Sequence, residues 1–566
     1  MFCPTIKLGY TFPVKNKEKS ILVSYRDILN KIRLSFPQPV SDRVHDSYLV
    51  HTVMRALDGV DALKGELPIL GKREPLDYTS ARMTRLPEES SSLEEVISVL
   101  VKYLEGMTIW GHPRTQQNVV PPPSIASLIG MTLAELYNPN LGWDVYSHRV
   151  ALAEVEVVAM VSALVGYNPV QSSGVFTFGG TGTTFYGVKV GIEKAIPKAM
   201  ENGVREDAVV FASDCSHYCR FNVAGWLGLG EKNLITIPTN ARNEMDIPAL
   251  RKRAREVLAE GRKIAGFICT MGTTDAFGLD DLEEVVKLRN ELMEEFSLHY
   301  CPHVHADAVI GWAWSVFNDY PFEENPMGFR PRTVRALAGA SNRIRDLHLA
   351  DSVGVDFHKT GFTPYISSLV LFKDRNDLQL LLRDQEKMPY LYQFGEYRPG
   401  MYTVETSRSG AGVLAALANL KLFGKKGLQA IIGHIVEMAQ LLREHLEGHA
   451  YTTVLNRDNF GTVTIFRAYP DGVDTFEIKE QELHDPAFRE TLLRHNEYNR
   501  RISDYVYDEA MGGRGVVLSL TDCYRYTSYG EPVVGLKSYI LSPFVDEENV
   551  EAIVDKVLEA REKITI

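Results

Sequence analysis

Four short stretches of this 566-residue chain carry side chains whose types and spacing could do chemistry. The run Gly179-Gly180-Thr181-Gly182-Thr183-Thr184 follows the apolar VFTF (175–178) and opens a helical stretch. Glycines let a backbone approach an anion closely, and helix N-terminal amides and hydroxyls supply the donors. No GxxxxGK[ST] is present, and Phe185 stands where the last glycine of GxGxxG belongs, so a phosphate monoester suits this loop better than a nucleotide. The plain alternative is a tight turn between two elements. In SDCSHYC (213–219), Cys215, His217 and Cys219 resemble metal ligands in type, but structural zinc needs four ligands in a spaced framework. A histidine at a strand end, offering its ring face to a planar ligand, is the better functional reading, against that of a satisfied surface histidine.

The third stretch is HVHADAVIGW (303–312). On a strand, His303, His305 and Asp307 share one face. A metal-dependent hydrolase would use this spacing, but the further His and carboxylate partners of such a site do not appear in recognisable contexts. An acid at the end of an apolar strand needs a cationic partner to stay ionised, and a protonated pyridine nitrogen would serve. The fourth stretch is ADSVGVDFHKTGFTPY (350–365), where Lys359 follows an apolar strand beside His358. A buried lysine of lowered pKa forms Schiff bases with carbonyls, whereas most lysines are simply solvated.

These residues must be positioned by regular elements. From about 174 the chain alternates β-branched runs (175–178, 208–213, 233–237, 264–270, 300–306 and 352–356) with amphipathic runs such as 247–261 and 282–297. That alternation predicts a mostly parallel sheet with helices on both faces, and ligands beyond the carboxyl ends of the strands. After about 410, helical runs at 411–424 and 426–447 lead to short strands at 451–455, 461–466, 516–521 and 538–544, with helices over 486–510 and 548–563, a smaller α+β domain. Before 135 the pattern is mixed, with one clear helical face in 92–107 and a Pro-rich loop at 110–124.

Composition bounds the rest. Length alone predicts about three to four domains. With 45% apolar and 24% charged residues the chain is globular, and 61 Lys+Arg against 73 Asp+Glu give a net charge of −12, which speaks against a nucleic-acid partner. Six cysteines form no disulfide framework, the N-terminus lacks a secretory pattern, and no apolar run reaches membrane-spanning length, so a cytoplasmic location without a membrane is expected.

A phosphate loop, a ring-stacking histidine, a strand-end aspartate and a strand-end lysine, in that order, are the parts of a pyridoxal phosphate site. With AEVEVVAMVSALVGY (153–167), GWLGLG (225–230), MGTTDAFGLDDL (271–282), HADAVIG (305–311) and TVETSRSGA (403–411), the stretch from about 145 to 415 resembles the group II amino-acid decarboxylases of pyridoxal phosphate fold type I, the aromatic-amino-acid, tyrosine and glutamate decarboxylases. The resemblance implies a seven-stranded, mostly parallel sheet in a large cofactor domain (136–410), a small C-terminal domain (411–566), and an N-terminal interface segment (1–135) embracing the partner of a homodimer whose sites lie at the subunit interface. It implies that Lys359 forms the Schiff base, Asp307 pairs with the pyridine nitrogen, His217 stacks on the ring and His358 touches the phosphate. Gly180, Thr181 and Gly182 would hold phosphate oxygens, and Thr273 would lie near the ring hydroxyl or substrate carboxylate. In DQEKMPYLYQFGEY (384–397), Tyr390 is the first candidate for the proton donor and Tyr392 the alternative.

The chain departs from the family pattern at Gly182-Thr183-Thr184, at Thr360 after the lysine, and in the inserted-looking stretch 318–333. The implied activity is release of CO2 from an L-amino acid, an aromatic one slightly favoured, without a metal. Other carbon–carbon lyase chemistry, a decarboxylating aldehyde synthase and a non-catalytic scaffold are the competing readings. For Trp312 and Trp314, core packing is favoured over lining a substrate pocket.

Overall fold

The computed structural model describes residues 25–205, 207–388 and 394–564. They form two compact units, one reaching Gly65 and taking in Ile69–Met107, the other comprising Glu66–Pro68 and Thr108 onward. In the first unit, helices Tyr25–Arg33, Arg43–Asp61, Tyr78–Arg82 and Leu93–Lys102 bury no residue, although Ile28, Leu29, Val53, Met54, Leu57 and Leu100 are large and apolar. The Leu93–Lys102 helix starts at a capping box between Ser92 and Glu95.

The second unit is built on seven strands: β1 (Ser173–Thr177), β2 (Ala208–Ser213), β3 (Leu234–Ile237), β4 (Lys263–Thr270), β5 (His303–Asp307), β6 (Ser352–Asp356) and β7 (Ser368–Phe372). Their order is β1-β7-β6-β5-β4-β2-β3, with every pairing parallel except those of β7. Alternation along β2 feeds two cores. Val209 and Phe211 pack with helices Ile247–Ala259 and Leu282–Glu295, while Ala208, Val210 and Ala212 face helices Gly180–Ala195 and Cys219–Trp226. The mostly parallel seven-stranded sheet is therefore as the resemblance implies, and β7, which is not among the strands read from the sequence, completes it.

The Gly180–Ala195 helix lies directly on the sheet; a Cβ at Gly187 would fall 2.5 Å from His305 Nδ1. After it the chain builds the long helix Ala411–Gly448, broken at Gly424 (φ 56°), and a four-stranded antiparallel sheet. That sheet comprises β8 (Thr452–Val454), β9 (Val463–Ala468), β10 (Ser519–Thr521) and β11 (Gly535–Tyr539) in the order β10-β11-β9-β8. The stretch 318–333 folds as an aromatic knot in which Tyr320, Phe322 and Phe329 surround Phe317 at 5.5, 6.3 and 6.4 Å between ring centroids. Trp312 and Trp314 are fully buried against Phe357 and Phe277, which is core packing.

Candidate active site

The described residues that the resemblance assigns to the cofactor site lie at or just beyond the carboxyl ends of the strands, whereas His303 opens β5. Gly180–Gly182 follow β1, His217 follows β2, Thr273 follows β4, Asp307 ends β5, and His358 and Lys359 follow β6. Such an edge collects loops from several strands around one crevice. Tyr390 and Tyr392 lie outside the described residues.

The lysine turn is held from three sides. Thr360 Oγ1 donates to Ile310 O (2.7 Å), tying it to the loop after Asp307, and Asn419 Nδ2 donates to the carbonyls of Gly361 and Phe362 (2.8 Å each). Ser367 O and N lie 3.1 and 3.3 Å from His358 Nδ1, and the Tyr365 ring packs on the His358 imidazole at 4.3 Å.

Lys359 Nζ sits 2.9 Å from Asp356 Oδ2, and Ser368 Oγ donates to Asp356 Oδ1 at 2.6 Å. Burial disfavours the Lys359 ammonium, but the charge and hydrogen bond of Asp356, with Asp307 adding, outweigh it and hold the pKa above the ordinary lysine value. The lowered pKa expected of a Schiff-base lysine is therefore not found here. Asp356, the closest charge to Lys359, is a site residue that the sequence reading passed over, although it stands three residues before the lysine at a strand end.

Asp307 is 5% exposed, and its Oδ1 has no hydrogen-bond partner among the described residues. Burial pushes its pKa up to about 6, against the opposing pull of Lys359. His217 is lowered to about 4, first by burial and then by the Lys359 charge, so its ring is neutral near pH 7. The Cys219 amide donates to His217 Nδ1 (3.2 Å), which puts the imidazole proton on Nε2. Gly179 caps the phosphate-loop helix at φ 96°, a conformation that L side chains resist, and no side chain caps that end. Thr273 Oγ1 accepts from the amides of Ala276 (3.3 Å) and Gly278 (2.9 Å), fixing its own turn and leaving its proton to donate.

The hydrolase arrangement does not form. His303 Nε2 and His305 Nδ1 both turn to Ser352 Oγ, each at 2.8 Å, and burial lowers both imidazoles. Among the described residues no group of three His, Cys, Asp or Glu side chains is arranged to hold a metal ion.

The residues present fit pyridoxal phosphate. An orphaned, buried carboxylate oxygen matches a protonated ring nitrogen, a neutral histidine matches a ring face, and an uncapped helix N-terminus matches a phosphate. This fold and this edge define a fold-type I pyridoxal phosphate enzyme. The chain belongs to the family described as the pyridoxal-dependent decarboxylase conserved domain, which matches residues 75–468, and it is a pyridoxal phosphate-dependent amino-acid decarboxylase, a carboxy-lyase.

Relatives include an L-2,4-diaminobutyrate decarboxylase of Acinetobacter baumannii, 25% identical over 80% of this chain and 81% of that one. An L-tyrosine decarboxylase of Enterococcus faecium is 27% identical over 47% of this chain and 46% of its own. The structure of Oryza sativa TDC with PLP and tryptamine superposes with a TM-score of 0.73 at 17% identity, covering 93% of this chain and 99% of that one. Among the described residues no helix is long and apolar enough to cross a membrane.

Proposed function

We propose that this decarboxylase acts on an L-amino acid with an aromatic, tyrosine-like side chain, and that Lys359, Asp307, His217 and Tyr390 do the chemistry. The observation that carries the site assignment is the orphaned Asp307 carboxylate, buried on the same strand-end edge as Lys359 and coupled to its charge. Bound pyridoxal phosphate supplies a conjugated electron sink, joined to the substrate amine, that accepts the electron pair of the breaking Cα–carboxylate bond. Lys359 would hold the group through its amine and lie beside the incoming substrate amine. Asp307 keeps the proton on the ring nitrogen, because a buried carboxylate is relieved by a cation beside it. His217, neutral and set by the Cys219 amide, covers one face. Gly180, Thr181 and Gly182 would hold the phosphate with His358, and Thr273 retains a proton to donate to the ring hydroxyl or the carboxylate. Tyr390 returns a proton to Cα, with Tyr392 as the substitute. Water exclusion and orientation of the scissile bond are the protein's share of the catalysis.

The tyrosine-like side chain is supported by a cavity of about 430 Å³ that Tyr365, beside Lys359 and His358, shares with Phe176, Phe178 and Met131. Its one arginine, Arg408, is committed to Glu154, which leaves no partner there for a second substrate carboxylate. Glu135 and Glu405 line the same cavity and favour a second reading, a side chain ending in an ammonium group, as in the diaminobutyrate relative. We also propose a homodimer in which the segment 1–135 embraces the partner, with 136–410 the cofactor domain and 411–566 the small domain. The test is release of CO2 from a panel of amino acids with added cofactor. Tyrosine should exceed 2,4-diaminobutyrate, lysine, glutamate and aspartate, and the product should be the amine rather than the aldehyde. Lys359→Ala should lose both the yellow colour and the CO2. A colourless wild-type protein would overturn the site assignment, and a preference for the diamino acids would replace tyrosine as substrate.

A further inference from the structure

The C-terminal sheet buries a guanidinium that nothing in the reaction uses. Arg467, on β9, is 0% exposed, and its Nε, Nη1 and Nη2 all lack a hydrogen-bond acceptor among the described residues. A buried donor without an acceptor is costly, and a buried charge more so. The nearest carboxylate oxygen, Glu482 Oε2, lies 3.6 Å from Nη1. Glu482 is already engaged, by His495 Nδ1 at 2.5 Å on Oε1 and by the Tyr469 hydroxyl at 3.4 Å on Oε2.

Arg467 lines a small, partly open cavity of about 10 Å³, shared with Lys479 and Arg525 as well as Glu482. Arg525 Nη2 donates to Ala241 O, Asn243 Oδ1 and the Tyr524 hydroxyl, but its buried Nε has no acceptor either. Lys479 is half-buried, and burial together with the Arg525 charge pulls its pKa down. Three cations therefore face one carboxylate around a space that holds a single small particle. A water molecule fits by size, but it offers no net charge to offset two positive ones.

We propose that this cavity is a binding site for one monatomic anion of the halide class, held by Arg467 and Arg525 with Lys479 and bracing β9 against the loop between β10 and β11. Size excludes phosphate and carboxylate ligands, and the unmet guanidinium donors supply the affinity. Bromide, whose anomalous scattering identifies it, is the probe for crystals of the holoenzyme, and chloride is the probe in solution. The expected results are an anomalous peak between Arg467 and Arg525, and a saturable rise in the holoenzyme's melting temperature in chloride over gluconate at equal ionic strength. Arg467→Met should lose that chloride dependence. If Arg467→Met does not fold, Lys479→Met should weaken it, by moving its midpoint to higher chloride. A cavity filled by water without an anomalous peak would overturn the proposal. So would a melting temperature indifferent to the choice of anion, including a bromide peak seen only at crystal concentration.

Discussion

Lys359 and Asp307 carry opposite electrostatic burdens in the same crevice. In the Schiff-base role proposed above, Lys359 must shed a proton before it can attack the cofactor aldehyde, yet Asp356 at 2.9 Å holds that proton on. Capture of pyridoxal phosphate by the apoprotein should therefore accelerate as pH rises, and Asp356→Asn should move that acceleration to lower pH, as followed by the visible absorbance of the bound cofactor. Asp307 has the reverse problem. Its folded pKa of about 6 lies above the ordinary aspartate value of 3.8, so the folded apoprotein binds the extra proton between those limits. The cost of burying Asp307 is absent below the lower limit, grows as pH rises through the window and is complete above about 6, at about 3 kcal/mol. Asp307→Asn should remove that part of the pH dependence. In urea unfolding at pH 4.5 and 7.5, the variant apoprotein should gain on wild type at the higher pH while retaining cofactor poorly. Lys359, Asp307 and His217 stand out in the sequence as candidates because each ends or follows an apolar strand in a conspicuous motif, and the structure brings them to one edge of the sheet. Asp356 does not stand out, because an aspartate inside a β-branched run reads as part of the strand, and its pairing with Lys359 exists only once the turn is formed.

At the level of elements, the parallel strands announced themselves as β-branched runs separated by amphipathic helices. Strand β7 was hidden because it follows a Gly/Pro-rich turn with no helix before it. An antiparallel strand inserted between β1 and β6 breaks the strand–helix rhythm by which the others were found. The break at Gly424 was legible: two helical runs were expected over 411–424 and 426–447, and the backbone leaves the helical region at Gly424 (φ 56°, ψ −172°), where one run ends and the next begins. What holds β1 and the phosphate loop in place is a buried brace that periodicity cannot reveal. Arg408 pairs with Glu154 and also donates to Leu141 O (3.0 Å) and Phe176 O (3.0 Å), while Glu154 accepts from the Phe176 amide (2.9 Å) and the Tyr397 hydroxyl (2.9 Å). Removing one partner strands the other charge in the core. Arg408→Met should thus cost about 3–5 kcal/mol in urea unfolding, and Glu154→Gln added to it should recover part of the loss.

On the scale of the whole molecule, the question is what covers its apolar surface. The four helices of the first unit bury nothing, and in the second unit the helix Ile125–Tyr137 packs one side on the Ala411–Gly448 helix while Ile125, Leu128, Ile129 and Leu133 stay exposed. Exposed apolar patches of this extent mark an interaction surface, and a second copy of the chain is the partner proposed above. Each copy has a mass of 63.6 kDa and a net charge of −12, so burying these patches brings two strongly acidic bodies together. Long-range repulsion then opposes what apolar burial drives, and the balance must depend on salt. The dimer should hold more weakly at about 10 mM salt, where the Debye length is about 30 Å, than at 0.15 M, where it is about 8 Å. Sedimentation equilibrium across that range measures the dissociation constant directly. Leu128→Asp should raise it at every salt concentration and steepen its salt dependence, because the substitution removes apolar contact and adds a like charge on both copies. A monomeric wild type at 0.15 M salt would overturn the proposed homodimer, and a dissociation constant that Leu128→Asp leaves unmoved would place the subunit contact elsewhere.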